Sequence, residues 1–391
     1  MEELGRLCKV TDGTHYTPPN VGGPFPFLTV KDMTGNGLSF RACSWISKEE
    51  FIRAQEMGAV PEPGTVLFSK DGTVGKTHVV RHERPFAALS SIALLQPEPA
   101  RLNSEYLAYA LQHPRILRSA EDRKTGSALQ RIILKDLKRV QVPIPSLTIQ
   151  ERVVARLLFA DRCRRTQRSA LEMSEGLLGA VFLEMFGQSS DTSVVTIEEC
   201  LAEWNGSIRT GPFGSQLLHS EFTDSGVAVL GIDNAVHNRF EWDVRRYIPA
   251  EKYLQLKRYT VRPGDVLITL MGTCGRCAIV PNDIPVAINT KHLCAMSLNH
   301  SRCLPVFLHG AFLFDSGIRR QLRAATKGAI MEGLNMQIIR DLKLSLPPPT
   351  RQQAYSRAAA TIEKIRRVAE ESLRQAEHLF QTLLHVAFGE A

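Results

Sequence analysis

Two stretches of this chain place apolar residues at alternating three- and four-residue steps. In the first they are Val153, Leu157, Ala160, Leu171, Leu178, Val181 and Met185. In the second they are Ala358, Thr361, Ile365, Ala369, Ser372, Ala376, Leu379, Leu383 and Val386. That spacing gathers the residues on one helix face, so each stretch predicts a long helix with an a/d seam. Polar Arg164, Gln167 and Ser174 interrupt the first seam. Neither stretch is apolar all round, so neither reads as a membrane span. Two such helices in one chain can satisfy each other's seams as an antiparallel coiled coil; the alternative is that each packs on its own globular domain. Ahead of each helix the pattern changes to short β-like runs broken by Gly and Pro, such as Phe25 to Val30 and Val227 to Ile232. A short helical stretch follows, Glu105 to Leu117 and about Pro305 to Ala324, and then prolines that end the globular part.

The order of these features repeats. Pro63-Gly64-Thr65-Val66-Leu67 returns as Pro263-Gly264-Asp265-Val266-Leu267, and Gly72-Thr73-Val74-Gly75-Lys76 as Gly272-Thr273-Cys274-Gly275-Arg276. Ala88-Leu89-Ser90 answers Ala287-Ile288-Asn289, and Lys135-Asp136-Leu137-Lys138 answers Arg340-Asp341-Leu342-Lys343. Ile144-Pro145 precedes Gln150 as Leu346-Pro347 precedes Gln352, and the helical patterns close on Phe186-Gly187 and Phe388-Gly389. A repeat this long implies duplication of a whole domain rather than a solenoid. The expected fold is α+β: a first globular domain over 1–148, a long helix over 149–187, a second globular domain over 188–349 and a closing long helix over 350–391.

Composition narrows the class. With 43% hydrophobic and 23% charged residues the chain is not disordered. A net charge of +8 suits a polyanionic partner. No apolar run reaches the length of a membrane span, and Met1-Glu2-Glu3-Leu4 does not open a secretory signal. Eight cysteines are too sparse for a disulfide scaffold, so a cytoplasmic location with reduced thiols is expected.

The whole chain resembles the specificity subunit of type I restriction-modification enzymes (HsdS). Asp12-Gly13-Thr14-His15-Tyr16-Thr17-Pro18 is similar to the opening of the family's first recognition domains, and Phe182-Leu183-Glu184-Met185-Phe186-Gly187 to the end of its central conserved region. Arg209-Thr210-Gly211-Pro212-Phe213-Gly214-Ser215-Gln216-Leu217, Met271 to Arg276 and Ile288 to Leu293 carry the likeness through the second half, and Leu379 to Gly389 match the usual C-terminal helix. Gln352-Gln353 stands where the family often has Glu-Gln, and the abrupt start at residue 1 implies no additional N-terminal helix. The resemblance implies two target-recognition domains reading a bipartite double-stranded DNA target. It also implies assembly with two methyltransferase subunits along the helices and with restriction/translocase subunits. S-adenosylmethionine, ATP and Mg2+ would belong to those partners, with no cofactor bound by this chain.

The residues argue against catalysis by the chain alone. Neither Thr17-Pro18-Pro19-Asn20 nor Leu346-Pro347-Pro348-Pro349-Thr350 makes an amino-methyltransferase loop, and no Glu-x-Lys nuclease spacing occurs. Asp136-Leu137-Lys138 and Asp341-Leu342-Lys343 read as charges at helix ends. Gly75-Lys76-Thr77 imitates a phosphate loop, but Lys70 stands where its first glycine belongs. Cys274, Cys277, Cys294 and Cys303 are wrongly spaced for a zinc ribbon and read as buried thiols; no metal site is expected. The DNA-contact candidates are loop residues beside Gly-rich turns: Thr14, His15, Lys70, Gly72, Thr73 and Lys76 in the first domain. In the second they are Arg209, Ser215, Thr273, Arg276, Thr290, Lys291 and His292. Partner-binding candidates on the helices are Val153, Leu157, Leu178, Met185, Ile365, Leu379 and Leu383. Helices of roughly 35 residues would span about 50 Å, or about 15 base pairs of B-DNA, and so act as a ruler. Because the two domains differ outside their shared skeleton, an asymmetric target is expected. A duplicated DNA-binding module of another methylation or defence assembly, a self-contained enzyme and a protein-only scaffold remain open readings. The exposed seams predict a chain that aggregates without partners.

Overall fold

The computed structural model describes residues 1–81, 83–121, 132–187, 192–242, 245–326 and 333–389. They form two units: Met1–Ala170 with Ala369–Ala391, and Leu171–Val368.

The main strands of the first unit are β1 (Cys8–Asp12), β2 (Phe25–Leu28), β3 (Ser44–Ile46), β4 (Val66–Ser69), β5 (Thr77–Val79), β6 (Ala87–Ala88) and β7 (Ile92–Pro97). Helix α1 (Ser104–Ala110) and the first part of the long helix α2 (Leu147–Phe186) follow. The sheet order is β1-β7-β4-β5, antiparallel throughout, with Leu94 of β7 opposite Thr11 and Leu67. A second sheet runs β3-β2-β6, and its β2–β6 pairing is parallel. Strand β4 is buried along its whole length because successive side chains enter different cores. Val66 and Phe68 meet α1, whereas Leu67 packs with Phe86 and Ala88.

The second unit repeats this topology. Its main strands are β8 (Ile208–Thr210), β9 (Val227–Leu230), β10 (Tyr247–Ile248), β11 (Val266–Thr269), β12 (Cys277–Ile279), β13 (Ala287–Asn289) and β14 (Leu293–Met296). They are followed by helix α3 (Pro305–Phe314) and the start of α4 (Pro349–Phe388). The orders are β8-β14-β11-β12 and β10-β9-β13, again with one parallel pair, β9–β13. Ala295 faces Arg209 and Leu267, the counterpart of the register around Leu94. The duplication read from scattered Gly-Pro matches is therefore a duplication of strand order and register.

The short helical stretches differ from the expectation. Each is two helices, Ser104–Ala110 with Pro114–Glu121, and Pro305–Phe314 with Ser316–Thr326. Pro114 cannot continue a preceding helix, and Asp315, in an extended conformation, accepts the Ile318 N–H at 2.8 Å and so starts a new one.

Each unit buries halves of both long helices, which run antiparallel. In the first unit Leu157 and Ala160 of α2 and Phe380, Leu384 and Phe388 of α4 join the core of α1; Tyr106 lies 5.1 Å from Phe388 and Tyr109 5.9 Å from Phe380. In the second, Phe182 of α2 and Tyr355 of α4 pack at 5.4 Å beside Phe307 of α3. Gly310 is the point of closest approach, since a Cβ there would lie 2.7 Å from the Tyr355 hydroxyl. The two helices also share an acid followed by paired arginines: Asp161 with Arg164 and Arg165 at 2.5 and 2.8 Å, Glu363 with Arg366 and Arg367 at 2.7 and 3.1 Å.

The α4 seam shares Ala369 and Ala376 with the one read from the sequence but otherwise follows a neighbouring stripe. Tyr355, Ile362, Ala369, Ala376, Phe380, Leu384 and Phe388 are buried, while Ile365, Leu379 and Val386 are 50%, 42% and 70% exposed. The large aromatic side chains bury more apolar area than the aliphatic stripe beside them and so set the rotation of the helix.

Each globular part is tied to its helix by a buried glutamine. Gln150 donates to the carbonyls of Arg101 and Pro145, both at 2.9 Å, and accepts the Asn103 N–H at 2.9 Å. Gln352 donates to the carbonyls of Arg302 and Pro347 at 2.8 and 2.9 Å and accepts the Leu304 N–H at 2.8 Å. Among the described residues no helix is long and apolar enough to cross a membrane.

Candidate nucleic-acid interface

In both units the parallel strand pair ends beside the same three connections. After β1, the Thr14 N–H donates to the Ala88 carbonyl at 2.9 Å; after β8, the Gly211 N–H donates to that of Thr290 at 3.3 Å. Gly13 and Gly211 admit no side chain, because a Cβ would sit 2.1 Å from the Ala88 oxygen and 1.9 Å from the Asn289 oxygen. After β4 and β11 comes a turn held identically in the two units. Gly75 and Gly275 N–H groups donate to the Ser69 and Thr269 carbonyls, both at 3.0 Å. The Ser69 and Thr269 hydroxyls accept the N–H of Lys76 at 2.8 Å and of Arg276 at 3.0 Å. Gly72 and Gly272 have φ of +69° and +74°, a region that glycine enters without strain. The Lys70 and Leu270 N–H groups donate to the Ser91 and His292 carbonyls at 3.0 and 2.8 Å, joining this turn to the connection after β6 or β13.

A third element, after β2 and β9, was not singled out in the sequence. Asp32 accepts the Thr29 N–H at 2.8 Å, and Asn234 accepts that of Gly231 at 2.9 Å, each closing a short 3-10 turn. The signal was present as Leu28-Thr29-Val30-Lys31-Asp32 beside Leu230-Gly231-Ile232-Asp233-Asn234. It was obscured because only the apolar residues before the turn match closely.

The candidate contact residues fall into two groups. Several are engaged inside their own unit. Thr14 is buried and donates to the Tyr16 carbonyl at 2.7 Å. Lys70 is 1% exposed, its ammonium 3.5 Å from Asp12 and 3.8 Å from Asp71. Lys76 donates to the Met33 carbonyl at 2.6 Å. Arg209 is buried, ion-paired to Asp265 and hydrogen-bonded to the Thr260 carbonyl at 2.8 Å. These cations fix the loops instead of offering themselves to a ligand. The second group faces outward: His15, Gly72 and Thr73 in the first unit, and Ser215, Thr273, Arg276 and Lys291 in the second. His15 lies 3.5 Å from Asp12. Thr290 and His292 are half-buried; among the described residues the Thr290 hydroxyl has no hydrogen-bond partner, and burial, aided by Lys291, lowers the His292 pKa. Exposed backbone and hydroxyl donors beside uncommitted cations can hold phosphate oxygens and reach base edges.

The residues set aside as decoys are placed accordingly. Cys277, Cys294 and Cys303 are buried in the second unit, and burial pushes the Cys294 thiol up to about 12. The Cys274 thiol donates to the Leu270 carbonyl at 3.1 Å. Among the described residues no group of three or more His, Cys, Asp or Glu is arranged to hold a metal ion. Asp136 and Asp341 sit in the short helices Leu134–Leu137 and Met336–Asp341.

Of the helix candidates, Leu157 is buried and Val153, Leu178, Met185 and Leu383 are half-buried, while Ile365 and Leu379 are exposed. A second apolar set is open on both helices: Ile149, Phe159, Met173 and Leu177 on α2, and Ile365, Val368, Leu379 and Val386 on α4. Phe159 and Met173 are 66% and 75% exposed, unusual for side chains of that size.

Comparison with known proteins places this arrangement. Residues 2–169 match the type I restriction modification DNA specificity domain. The chain is 29% identical over 147 residues to the EcoBI specificity subunit of a type I restriction enzyme from Escherichia coli, a match covering 37% of this chain and 31% of that one. It is 19% identical over 380 residues to the MjaVIII specificity subunit of Methanocaldococcus jannaschii, covering 93% and 85% of the two chains. The crystal structure of the type I restriction-modification S subunit from M. genitalium shares the fold, with a TM-score of 0.61 at 14% identity, over 99% of this chain and 95% of that one. The repeated unit, the paired long helices and these matches agree: residues 2–169 carry a type I restriction modification DNA specificity domain, and the chain along its length is similar to the specificity (HsdS) subunits of type I restriction-modification enzymes.

Proposed function

We propose that this chain reads a bipartite, asymmetric double-stranded DNA target, one half-site per unit, and positions catalytic partners over it. One observation carries the reading. The same two sheets and three connections occur twice, yet corresponding positions carry and present different side chains, Lys76 tied to the Met33 carbonyl in one unit and exposed Arg276 in the other. A shared scaffold with unlike exposed groups suits two readers of unlike sequence. His15, Gly72, Thr73, Ser215, Thr273, Arg276 and Lys291, with the 3-10 turns at Val30–Asp32 and Ile232–Asn234, make up the proposed contact surface.

The exposed apolar residues of α2 and α4 support docking of two adenine-methyltransferase subunits, and restriction/translocase subunits would join that assembly. S-adenosylmethionine, ATP and Mg2+ serve those partners in this reading, and the target being chromosomal DNA puts the work in the cytoplasm. The experiment is co-expression with methyltransferase subunits encoded beside this gene, followed by single-molecule sequencing for methylated adenine. A two-part motif with a fixed spacer and unlike halves, lost on deletion of this gene, is the expected result. Identical inverted halves would remove the asymmetric reading; an active assembly whose motif does not depend on this chain would leave it a scaffold.

A further inference from the structure

The duplicated turn presents its terminal cation differently in the two units. Lys76 and Arg276 occupy the same place, each with its N–H on the hydroxyl of the strand residue seven positions earlier. In the first unit the Lys76 ammonium donates to the Met33 carbonyl at 2.6 Å and reaches that of Val30 at 3.5 Å, closing the 3-10 turn after β2.

The second unit has no such use for its cation. The Ile232 carbonyl, counterpart of Val30, accepts the N–H groups of Ala235 and Val236, both at 2.9 Å. Nearby carboxylates are also engaged. Glu241 is held by His237 at 2.5 Å and Arg239 at 2.6 Å, and Asp233 by Arg246 at 2.7 Å. Arg276 is exposed, and among the described residues its guanidinium has no hydrogen bond, ion pair or ring contact. Its backbone is fixed nonetheless. Besides the Thr269 hydroxyl, its carbonyl accepts the Thr269 N–H at 2.8 Å, and the next N–H, of Cys277, reaches the Asn238 side chain at 3.4 Å. A rigid Cα carrying an uncommitted guanidinium, with exposed Thr273 and Lys291 on the adjoining connections, suits a planar acceptor pair.

We infer that Arg276 is a specificity-determining residue that reads a guanine in the half-site of the second unit, by bidentate donation to its O6 and N7 in the major groove. The inference rests on the proposed reading of the chain as a DNA-binding subunit. It also assigns the asymmetry of the target to a local cause: one copy of the turn engages its cation internally, and the other presents it.

The test compares the assembly of the full chain and its methyltransferase subunits with its R276A and R276K forms. Each is assayed on the native target, on targets with each guanine replaced, on 7-deazaguanine at the same positions and on unrelated DNA. One guanine of one half-site is expected to be worth roughly 5- to 150-fold in affinity to the wild type and little to either variant. R276K keeps the charge but not the two-armed fork, so it should bind unrelated DNA like the wild type while losing that guanine preference. Unchanged melting temperatures would establish that both variants are folded. The inference is overturned if R276A keeps the full guanine preference. It is also overturned if R276A loses the same factor on every DNA with a shallower salt dependence, the signature of a phosphate contact. If the wild-type assembly discriminates no sequence at all, the reading of the chain as a DNA reader falls, and this inference with it.

Discussion

The buried glutamines at the head of the two long helices give the sharpest stability prediction. Gln150 is fully buried and serves three backbone groups, the Asn103 N–H and the carbonyls of Arg101 and Pro145, all at 2.9 Å. Gln150→Leu fills nearly the same volume but leaves all three without partners. At roughly 1 kcal/mol or more for each group, the loss is about 3–5 kcal/mol, a large share of the 5–15 kcal/mol that holds a typical domain together. Native-state hydrogen exchange resolves where it falls. The Asn103 amide should exchange on the order of a hundredfold faster, while the Leu304 amide, held at 2.8 Å by Gln352, keeps its protection. Gln352→Leu should produce the converse pattern.

Gln150→Glu separates hydrogen bonding from packing. An ionised carboxylate still accepts the Asn103 N–H but faces two carbonyls that need a donor. Burial and those carbonyls would raise its folded pKa above the ordinary value of about 4.3. The unfolded chain then binds fewer protons than the folded one over the interval above 4.3, so the variant loses stability as pH rises through it. Wild-type protection at Asn103 in Gln150→Leu, or a Gln150→Glu variant equally stable at pH 4.5 and pH 8, would refute the assignment of this side chain as the tie.

Further expectations follow from other parts of the two units. Asp265→Ala leaves the buried Arg209 guanidinium without its carboxylate and should cost about 3–5 kcal/mol by chemical denaturation, whereas Arg209→Met with Asp265→Leu should cost less than Asp265→Ala alone. Gly211→Ala places a methyl 1.9 Å from the Asn289 oxygen and should disrupt the β9–β13 end, seen as a lowered melting temperature; Gly272→Ala meets only Ile232 at 3.9 Å and should cost about 1–2 kcal/mol of backbone strain. His309, buried against the carbonyls of Asn238 and Cys277, has its pKa lowered by burial. The unfolded chain therefore takes up the proton first, so stability should decline as pH falls below about 6.5, and His309→Gln should flatten that decline in melting temperature. Phe159→Lys and Val368→Lys, at 66% and 67% exposed positions, should leave the stability of the chain within about 1 kcal/mol of wild type but weaken co-purification with the proposed methyltransferase subunits.

Most of the architecture was legible because it is written twice. Pro63-Gly64 and Pro263-Gly264, or Gly72 and Gly272, mark turns whose backbone demands the same residue in both copies, and Gln150 and Gln352 stood out at matched distances from their prolines. The rotation of α4 was not legible. Two interleaved apolar stripes share that helix, and spacing alone cannot say that Tyr355, Phe380 and Phe388 rather than Ile365, Leu379 and Val386 face inward. The contact surface was legible only in part for a related reason. Lys70, Lys76, Arg209 and Arg276 look alike as cations beside glycine turns, and only their partners distinguish an internal tie from an exposed group. The 3-10 turns escaped notice because Thr29 and Asp32 answer to Gly231 and Asn234, a change of residue that preserves one hydrogen bond.

The division of the long helices between the units bears on biosynthesis. The first unit is closed by Phe380, Leu384 and Phe388, which follow the whole of the second unit along the chain, while the second is complete at Val368. A ribosome releasing this chain from its N-terminus therefore delivers every residue of the second unit before the first can finish its core. Vectorial synthesis ordinarily favours the N-terminal domain; here the order of completion is inverted. Until Phe380 and Phe388 have been synthesised, Tyr109 and Tyr106 lack the aromatic partners that cover them. Stalled nascent chains ending near residue 370 should accordingly show a protease-resistant second unit beside a first unit that is still readily cleaved.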